Sequence, residues 1–344
     1  MSYKISDTAI IIESDGKVIL IAEEAAFKNS LNVDGTFFDL DEDYFTDYFP
    51  SFQGSTSGYT SGGTFITPLT YDGNIIDKFP FSSDANATDV GDLTQGRYDA
   101  GAGQSSSENG YTSGGALYPI SSVDTIEKFP FSSDANATDV GDLTVARSGV
   151  AGQSSSSHGY TTAGTGSPFP VTDDRIDKFS FSSDGNATTV GGVGPPFSGV
   201  RYGYSGASSD ANGYAFGGGK ITKFPFATDA NAPEVGNLIG YDRYGSGQSS
   251  DANGYRSGGD TINVIQKFPF STNANSSDVG DLTSTKRSPA GQSSTISGYV
   301  SGGTIGPPDT GFNVIEKFPF SSDANAADVG DLTNERYSAS GQQI

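Results

Sequence analysis

At 344 residues the chain is long enough for one large domain or two ordinary ones, and its 34% apolar and 12% aromatic content can fill a core. Zero cysteines exclude disulfides and thiolate metal sites, and a single histidine, His158, excludes an imidazole metal cluster. A formal charge of −22 and a pI near 4.1 oppose contact with nucleic-acid phosphates or insertion into anionic membranes, and suit salty surroundings that screen self-repulsion.

In chain order, the start MSYKISDTAIIIESDGKVILIAEEAAF has apolar clusters interrupted by Glu13, Asp15 and Lys17. It reads neither as a signal-peptide core nor as a membrane span, so neither a signal peptide nor a transmembrane segment is expected. Two β-branched runs, TAIII and KVILI, flank ESDG, whose Asp-Gly supplies the turn of a hairpin. Residues 1–50 carry no repeat and are expected to form a small β-rich attachment segment, with FFDLDEDYFTDYFPSF (37–52) as an acidic, aromatic join.

The rest of the chain is repetitive. Aligning the KF pairs puts Lys78, Lys128, Lys178, Lys223, Lys267 and Lys317 in register, 50, 50, 45, 44 and 50 residues apart. This period fits propeller blades, and the Gly, Ser and Pro content excludes helical repeats. One unit divides into four strands, GVAGQSSSS (149–157), GYTTAGT (159–165), RIDKFSF (175–181) and TTVGGV (188–193), with SSDGNA as the last turn. The small residues of AGQSS suit the crowded axis, and the paired Phe of KFPF suit the space between blades. Pro80 and its equivalents must end a strand or sit at a bulge. Gln104, Gln153, Gln248 and Gln292 each stand six residues before a GY pair, Ala207 replaces them once, and the first unit has Phe52 there. The missing copy is Gln342, so the C-terminus is expected to complete the blade begun by GYTSGG (58–63) and remove the open edges. The expected fold is all-β, a six-bladed propeller over residues 51–344 closed by its C-terminal strand.

The order Arg, small strand, GY followed by GG, hydrophobic strand, turn and a V-x-x-L step resembles the kelch repeat. Gly62-Gly63, Gly114-Gly115, Gly217-Gly218, Gly258-Gly259 and Gly302-Gly303 match its double glycine, and Ala163-Gly164 departs from it. Arg97, Arg147, Arg201, Arg243, Arg287 and Arg336 match the arginine that opens a kelch unit. Val90-Gly91-Asp92-Leu93 stands where the family commonly has a tryptophan and a leucine, and the chain has no Trp, so the form is divergent.

SSDANATDVGD (82–92) places Asp84, Asn86, Asp89 and Asp92 at loop positions 1, 3, 6 and 9, and the next copy repeats them as Asp134, Asn136, Asp139 and Asp142. Oxygen ligands at such spacings can encircle calcium. Asp89 stands where a calcium loop has glycine, and Gly192 and Asn237 replace the last acid, so the preferred reading is a plain turn with no cofactor. The six arginines and the glutamines either line an axial channel for an anionic ligand or tie neighbouring blades; tying explains six copies and is preferred. The KFPF lysines are expected to lay their stems along the blade with the ammonium in water, and His158 to be a solvated turn residue. Copper-oxidase chemistry, which some kelch-like propellers perform, lacks its imidazole and cysteine groups here, and a sialidase lacks its Trp-bearing boxes; no enzyme is expected. Between GG and KF the segments differ in length and content, and recognition resides in such loops, with Tyr71, Tyr118, Phe169 and Phe312 as exposed aromatic candidates.

Near-identical acidic units with KFPFSSDANA and GYTSGG are similar to repeat proteins of marine tailed bacteriophages, particularly those of cyanobacteria. The head ISDTAIIIESDGKVIL looks like the short β-rich beginnings of phage tail and appendage proteins. That resemblance implies a structural protein of a virion, bound to other virion proteins through residues 1–50, with the propeller contacting a host surface glycan or protein. The alternative is a cellular kelch-like adaptor or an extracellular adhesion module.

Overall fold

The computed structural model describes residues 53–344 apart from 67–68, 100, 120, 167–170, 195–202, 241–242, 261 and 307–309, and the backbone of five strands among residues 1–52. The chain divides into two compact units, Met1–Phe49 and Pro50–Ile344. In the first, Ser2–Ser6, Ala9–Ser14 and Lys17–Ala22 form an antiparallel sheet in which Ser14 pairs with Lys17, and the expected Asp-Gly turn itself lies outside the described residues. The first strand of this sheet and a second hairpin, Ser30–Val33 with Thr36–Asp39, were not expected from the sequence. The join from residue 40 to residue 52 lies outside the described residues.

The second unit is a six-bladed β-propeller, each blade an antiparallel sheet whose strands run outward from the axis. Blade 2 is Ala102–Ser105, Asn109–Ser113, Thr125–Pro130 and Thr138–Asp142; blade 3 is Ala151–Ser154, His158–Thr162, Arg175–Ser180 and Thr188–Gly192. Blades 4, 5 and 6 begin at Ser205, Ser246 and Ala290 and end at Asn237, Asp281 and Asp331. Blade 1 joins both parts of the chain: its inner strand is the C-terminal Ser340–Gln343, followed outward by Ser57–Ile66, Leu69–Pro80 and Thr88–Asp92. Gln342 pairs with Tyr59 as Gln104 pairs with Tyr111, the register implied by the displaced glutamine.

Each junction between blades has its own core. At the first, Tyr59, Ile76 and Leu93 of blade 1 meet Phe129, Phe131 and Ala137 of blade 2. The tyrosine ring lies 4.9 Å from one phenylalanine and 5.5 Å from the other, and the same triad recurs at every junction, ending with Tyr299 on Phe79 and Phe81. Burying such side chains stabilises by about 1.5–3 kcal/mol each. The V-G-D step is a bulge. Ile76 pairs with Gly91 but Asp77 with Asp89, so Val90 is the extra residue, and it packs on the next blade's aromatic cluster. The same shift recurs in all six blades. Pro80, Pro130, Pro225, Pro269 and Pro319 each end the third strand, where no donor is missed.

Candidate functional site: two unlike faces and an axial cup

Antiparallel order fixes which connections share an end of the propeller. First-to-second and third-to-fourth turns lie on one face; second-to-third hairpins and blade-to-blade crossovers lie on the other.

On the turn face, the SSDANA loops are spent on blade-to-blade bonds. Asn136 Oδ1 accepts from the Asp92 backbone N–H at 3.1 Å, and Asn186, Asn231, Asn275, Asn325 and Asn86 do the same around the ring. The Ala137 N–H adds a bond to the Asp92 carbonyl. Asp89 and Asp139 accept from the backbone of Gly91 and Gly141 within their own bulges, and Asp92 and Asp142 contribute backbone N–H donors. Asp84 and Asp134 bind Lys317 and Lys78 at 2.8 and 3.3 Å. The carboxylates proposed for calcium are thus divided among separate bonds, and no group of acids able to hold a metal ion occurs among the described residues. The KFPF lysines depart from expectation: they reach the next blade's Asp, as in Lys128–Asp184 and Lys178–Asp229 at 2.5 Å and Lys267–Asp323, with Asn273 replacing Asp beside Lys223. The Asp84 contact raises the Lys317 pKa. His158 is half-buried, bonded to the Ser157 hydroxyl at 2.8 Å, and burial lowers its pKa.

Deeper in the junctions sit buried cations. Arg97 reaches Glu127 of the next blade, Arg147 reaches Asp177 at 3.2 Å and the Thr161 carbonyl at 2.8 Å, and Arg336 reaches Asp77. Each acid is also held by the preceding blade's threonine, as Asp177 accepts from the Thr144 N–H at 2.9 Å. Burial pushes the Arg147 and Arg336 pKa values down, with Asp177 and Asp77 acting against it. The sequence assigned Arg287 to this set, but four residues after Leu282 the buried cation is Lys286, 3.2 Å from Glu316, its pKa lowered by burial. Arg287 instead pairs with Asp260 and lies over the Tyr244 ring. Arg243 is half-buried, blade 5 carries Gln266 where other blades have the acid, and Arg201 lies outside the described residues. The acids themselves, Asp77, Glu127, Asp177 and Glu316, were not singled out from sequence.

At the axis the six inner strands touch backbone to backbone. A Cβ on Gly103 would stand 2.1 Å from the Gly341 carbonyl oxygen, and Gly152, Gly206, Gly247, Gly291 and Gly341 are jammed likewise against their neighbours. A second ring lies one turn lower: the Ser105 N–H donates to Ser154 Oγ, Ser154 to Ser208, Ser208 to Ser249, Ser249 to Ser293, and Ser293 and Ser105 are joined through Gln343. The amides of Gln104, Gln153, Gln248, Gln292 and Gln342 donate to the next blade's second strand, for example Gln104 to the Tyr160 carbonyl at 2.9 Å, and Gln153 and Gln248 also line the axial cavity. Residues 53–57 cross the ends of the inner strands, with Gln53 donating to the Ser249 carbonyl and Gly54 to that of Ser293. The inner strands enclose an axial cavity of about 140 Å³, lined by residues of both rings and, among the residues leading into the strands, by Asp99, Tyr204 and Tyr244.

On the hairpin face, blade 1 extends its pairing to Ile66 and Leu69, blades 2 and 3 add short hairpins, and blade 4 turns at once between Gly217 and Lys220. The double-glycine match in blade 4 shifts by one: Gly218 and Gly219 take positive φ, while Gly217 is in the strand. Of the aromatic candidates, Tyr118 is 59% exposed. Phe312 is half-buried with its ring 4.7 Å from the Lys286 ammonium, so it covers the buried cation. The Tyr71 side chain and Phe169 lie outside the described residues.

No protein-family model matches the chain, and none of the curated proteins does. Among the described residues no helix is long and apolar enough to cross a membrane, which leaves strand-built membrane barrels unaddressed.

Proposed function

We propose that the chain is a non-enzymatic structural protein of a phage virion, part of a tail or surface appendage, in which residues 1–50 bind other virion proteins and the propeller is displayed toward a host surface. The observation that carries this reading is the polarity of the propeller. On the turn face, six near-identical loops are consumed in blade-to-blade bonds, and the chain enters there across the inner strands at Gln53 and Gly54. The opposite face carries hairpins that differ from blade to blade, including exposed Tyr118 and Ile305. Variation on a rigid scaffold is the pattern of a recognition surface. The virion assignment draws on the resemblance of the repeats and the head to marine phage proteins, and the −22 charge is tolerated where salt screens it.

The test is incorporation. The full chain is expected in purified virions by mass spectrometry, while residues 51–344 alone fold, stay monomeric and fail to join particles. Equal incorporation of the truncated chain would reverse the roles of the two regions, and absence of the full chain from virions would reject the reading.

A further inference from the structure

We infer that the side chains of Lys286 and Glu316 condense to an isopeptide bond, a covalent staple between the crossover that leaves blade 5 and the third strand of blade 6. The inference goes beyond the display role of the propeller and does not depend on it.

The pair differs from its counterparts in the nature of the cation. At the other three junctions that hold a buried pair of opposite charges the cation is Arg97, Arg147 or Arg336, whose delocalised guanidinium stays charged and is no nucleophile. A lysine that gives up its proton becomes one. Lys286 and Glu316 are both fully buried, with Nζ 3.2 Å from Oε2. Arg147 and Arg336 also donate to carbonyl oxygens, of Thr161 and of Gly62 and Ile75, whereas Lys286 Nζ and Glu316 Oε2 have no other hydrogen-bond partner. The Phe312 ring covers Nζ at 4.7 Å, and burial lowers the lysine pKa against the pull of Glu316. Burial removes the hydration that favours two charges in water, so a proton passing within the pair gives amine and carboxylic acid.

Thr283 supplies the remaining element. Its N–H donates to Glu316 Oε1 at 3.0 Å, and its hydroxyl donates to the same oxygen. Two fixed donors on one oxygen are the arrangement that stabilises an oxyanion. Equivalent threonines hold Glu127, Asp177 and Asp77, but only at Glu316 does an amine face the second oxygen. In the step itself, Nζ attacks Cδ of the protonated Glu316 carboxyl, and negative charge gathers on Oε1 between the Thr283 donors. Oε2 then leaves as water, carrying its own proton and one from Nζ. The products are a secondary amide and one water, so no oxidant or reductant is needed. Holding the two groups in contact supplies the effective concentration that free amine and acid lack.

The test is intact mass spectrometry of the full chain, fresh and after prolonged incubation at neutral pH. The chain is expected to be one water lighter than its sequence, and a digest should yield a branched peptide joining Lys286 to Glu316, uncut by trypsin after Lys286. Lys286→Arg copies the neighbouring junctions, so it should stay folded by its melting curve and regain the full sequence mass. Thr283→Val should slow appearance of the link about a hundredfold, the effect of losing one oxyanion donor; an unchanged rate overturns the role given to that threonine. The full sequence mass in the parent chain after incubation overturns the inference. So does a missing water that persists in Lys286→Arg or maps to an Asp-Gly pair such as Asp72-Gly73, where closure to a succinimide also releases water.

Discussion

Among the described residues, four junctions of the propeller hold a buried pair of opposite charges and the two flanking blade 4 do not, although Arg256 is buried against the crossover between blades 4 and 5. Where blade 6 meets 1, 1 meets 2, 2 meets 3 and 5 meets 6, a buried Arg or Lys faces a buried Asp or Glu. Around blade 4 the acid is Thr222 or Gln266. The glutamine tie between blades 4 and 5 is also gone: Ala207 replaces the glutamine, and the serine opposite becomes Phe216, fully buried with its ring 5.6 Å from Phe268. The aromatic triads, by contrast, run through all six junctions unchanged. The propeller therefore tolerates more than one way of filling a junction: the glutamine tie gives way to packed Phe216 and Ala207, and beside Gln266 the buried Arg256 donates to the Gly258 carbonyl.

The contrast can be broken most severely at blade 1, which has no covalent closure. Deleting residues 337–344 should lower the melting temperature by about 10 °C or more, since the ring opens and the Tyr59 strand becomes an exposed edge; an unchanged melting curve would refute closure by this strand. Next come single-partner deletions. Arg336→Ala or Lys286→Ala should cost about 3–5 kcal/mol in denaturant unfolding by leaving Asp77 or Glu316 unpaired, while Arg243→Ala costs about 1 kcal/mol or less. Converting Arg336 and Asp77 together to Met and Leu should return stability close to the parent, and a double cycle that stays additive would deny the coupling. Between blades 4 and 5, Phe216→Ala should cost about 3 kcal/mol, and Phe216→Ser with Ala207→Gln less than either change alone.

A smaller effect tests the shared aromatic part. Burial raises the pKa of Tyr59, Tyr111 and Tyr160 to about 12. Because the unfolded tyrosine releases its proton near pH 10, stability from these groups is whole below that pH and falls as pH climbs to about 12. Melting temperature should be flat near neutrality and decline steeply above about pH 10, with more than one proton released per unfolding event. The smallest change belongs to the turn face: Lys128→Ala should cost about 0.5 kcal/mol, a difference that shrinks in molar salt because Asp184 is exposed.

Much of this was legible. Six KF registers, a small-residue strand and one displaced glutamine suffice for blade count and closure, since each reports a packing demand that every blade shares. The ties were harder to see. Asp77 and Glu127 adjoin Lys78 and Lys128 in sequence and so carry no mark of burial, yet the bulge beside them and the cover of a neighbouring blade bury them completely. The available signal was correlation within the chain: an acid stands before KF where a cation follows the leucine by four residues, and is missing in the two units where that spacing fails. Counting from Leu282 would have found Lys286 in place of Arg287. Phe312 keeps part of its ring at the surface while covering a cation beneath it, a second task that no local pattern reveals.

The seam in blade 1 also sets an order of events in synthesis. Its innermost strand is separated from its pairing partner by roughly 280 residues, so on the ribosome five blades can form while the sixth waits with an unfilled edge. Until residues 340–343 emerge, that edge is open to the same segment of a neighbouring nascent chain. Tethering favours closure within the chain over exchange with a neighbour, and a chain lacking residues 340–343 is marked by the vacant edge it cannot fill.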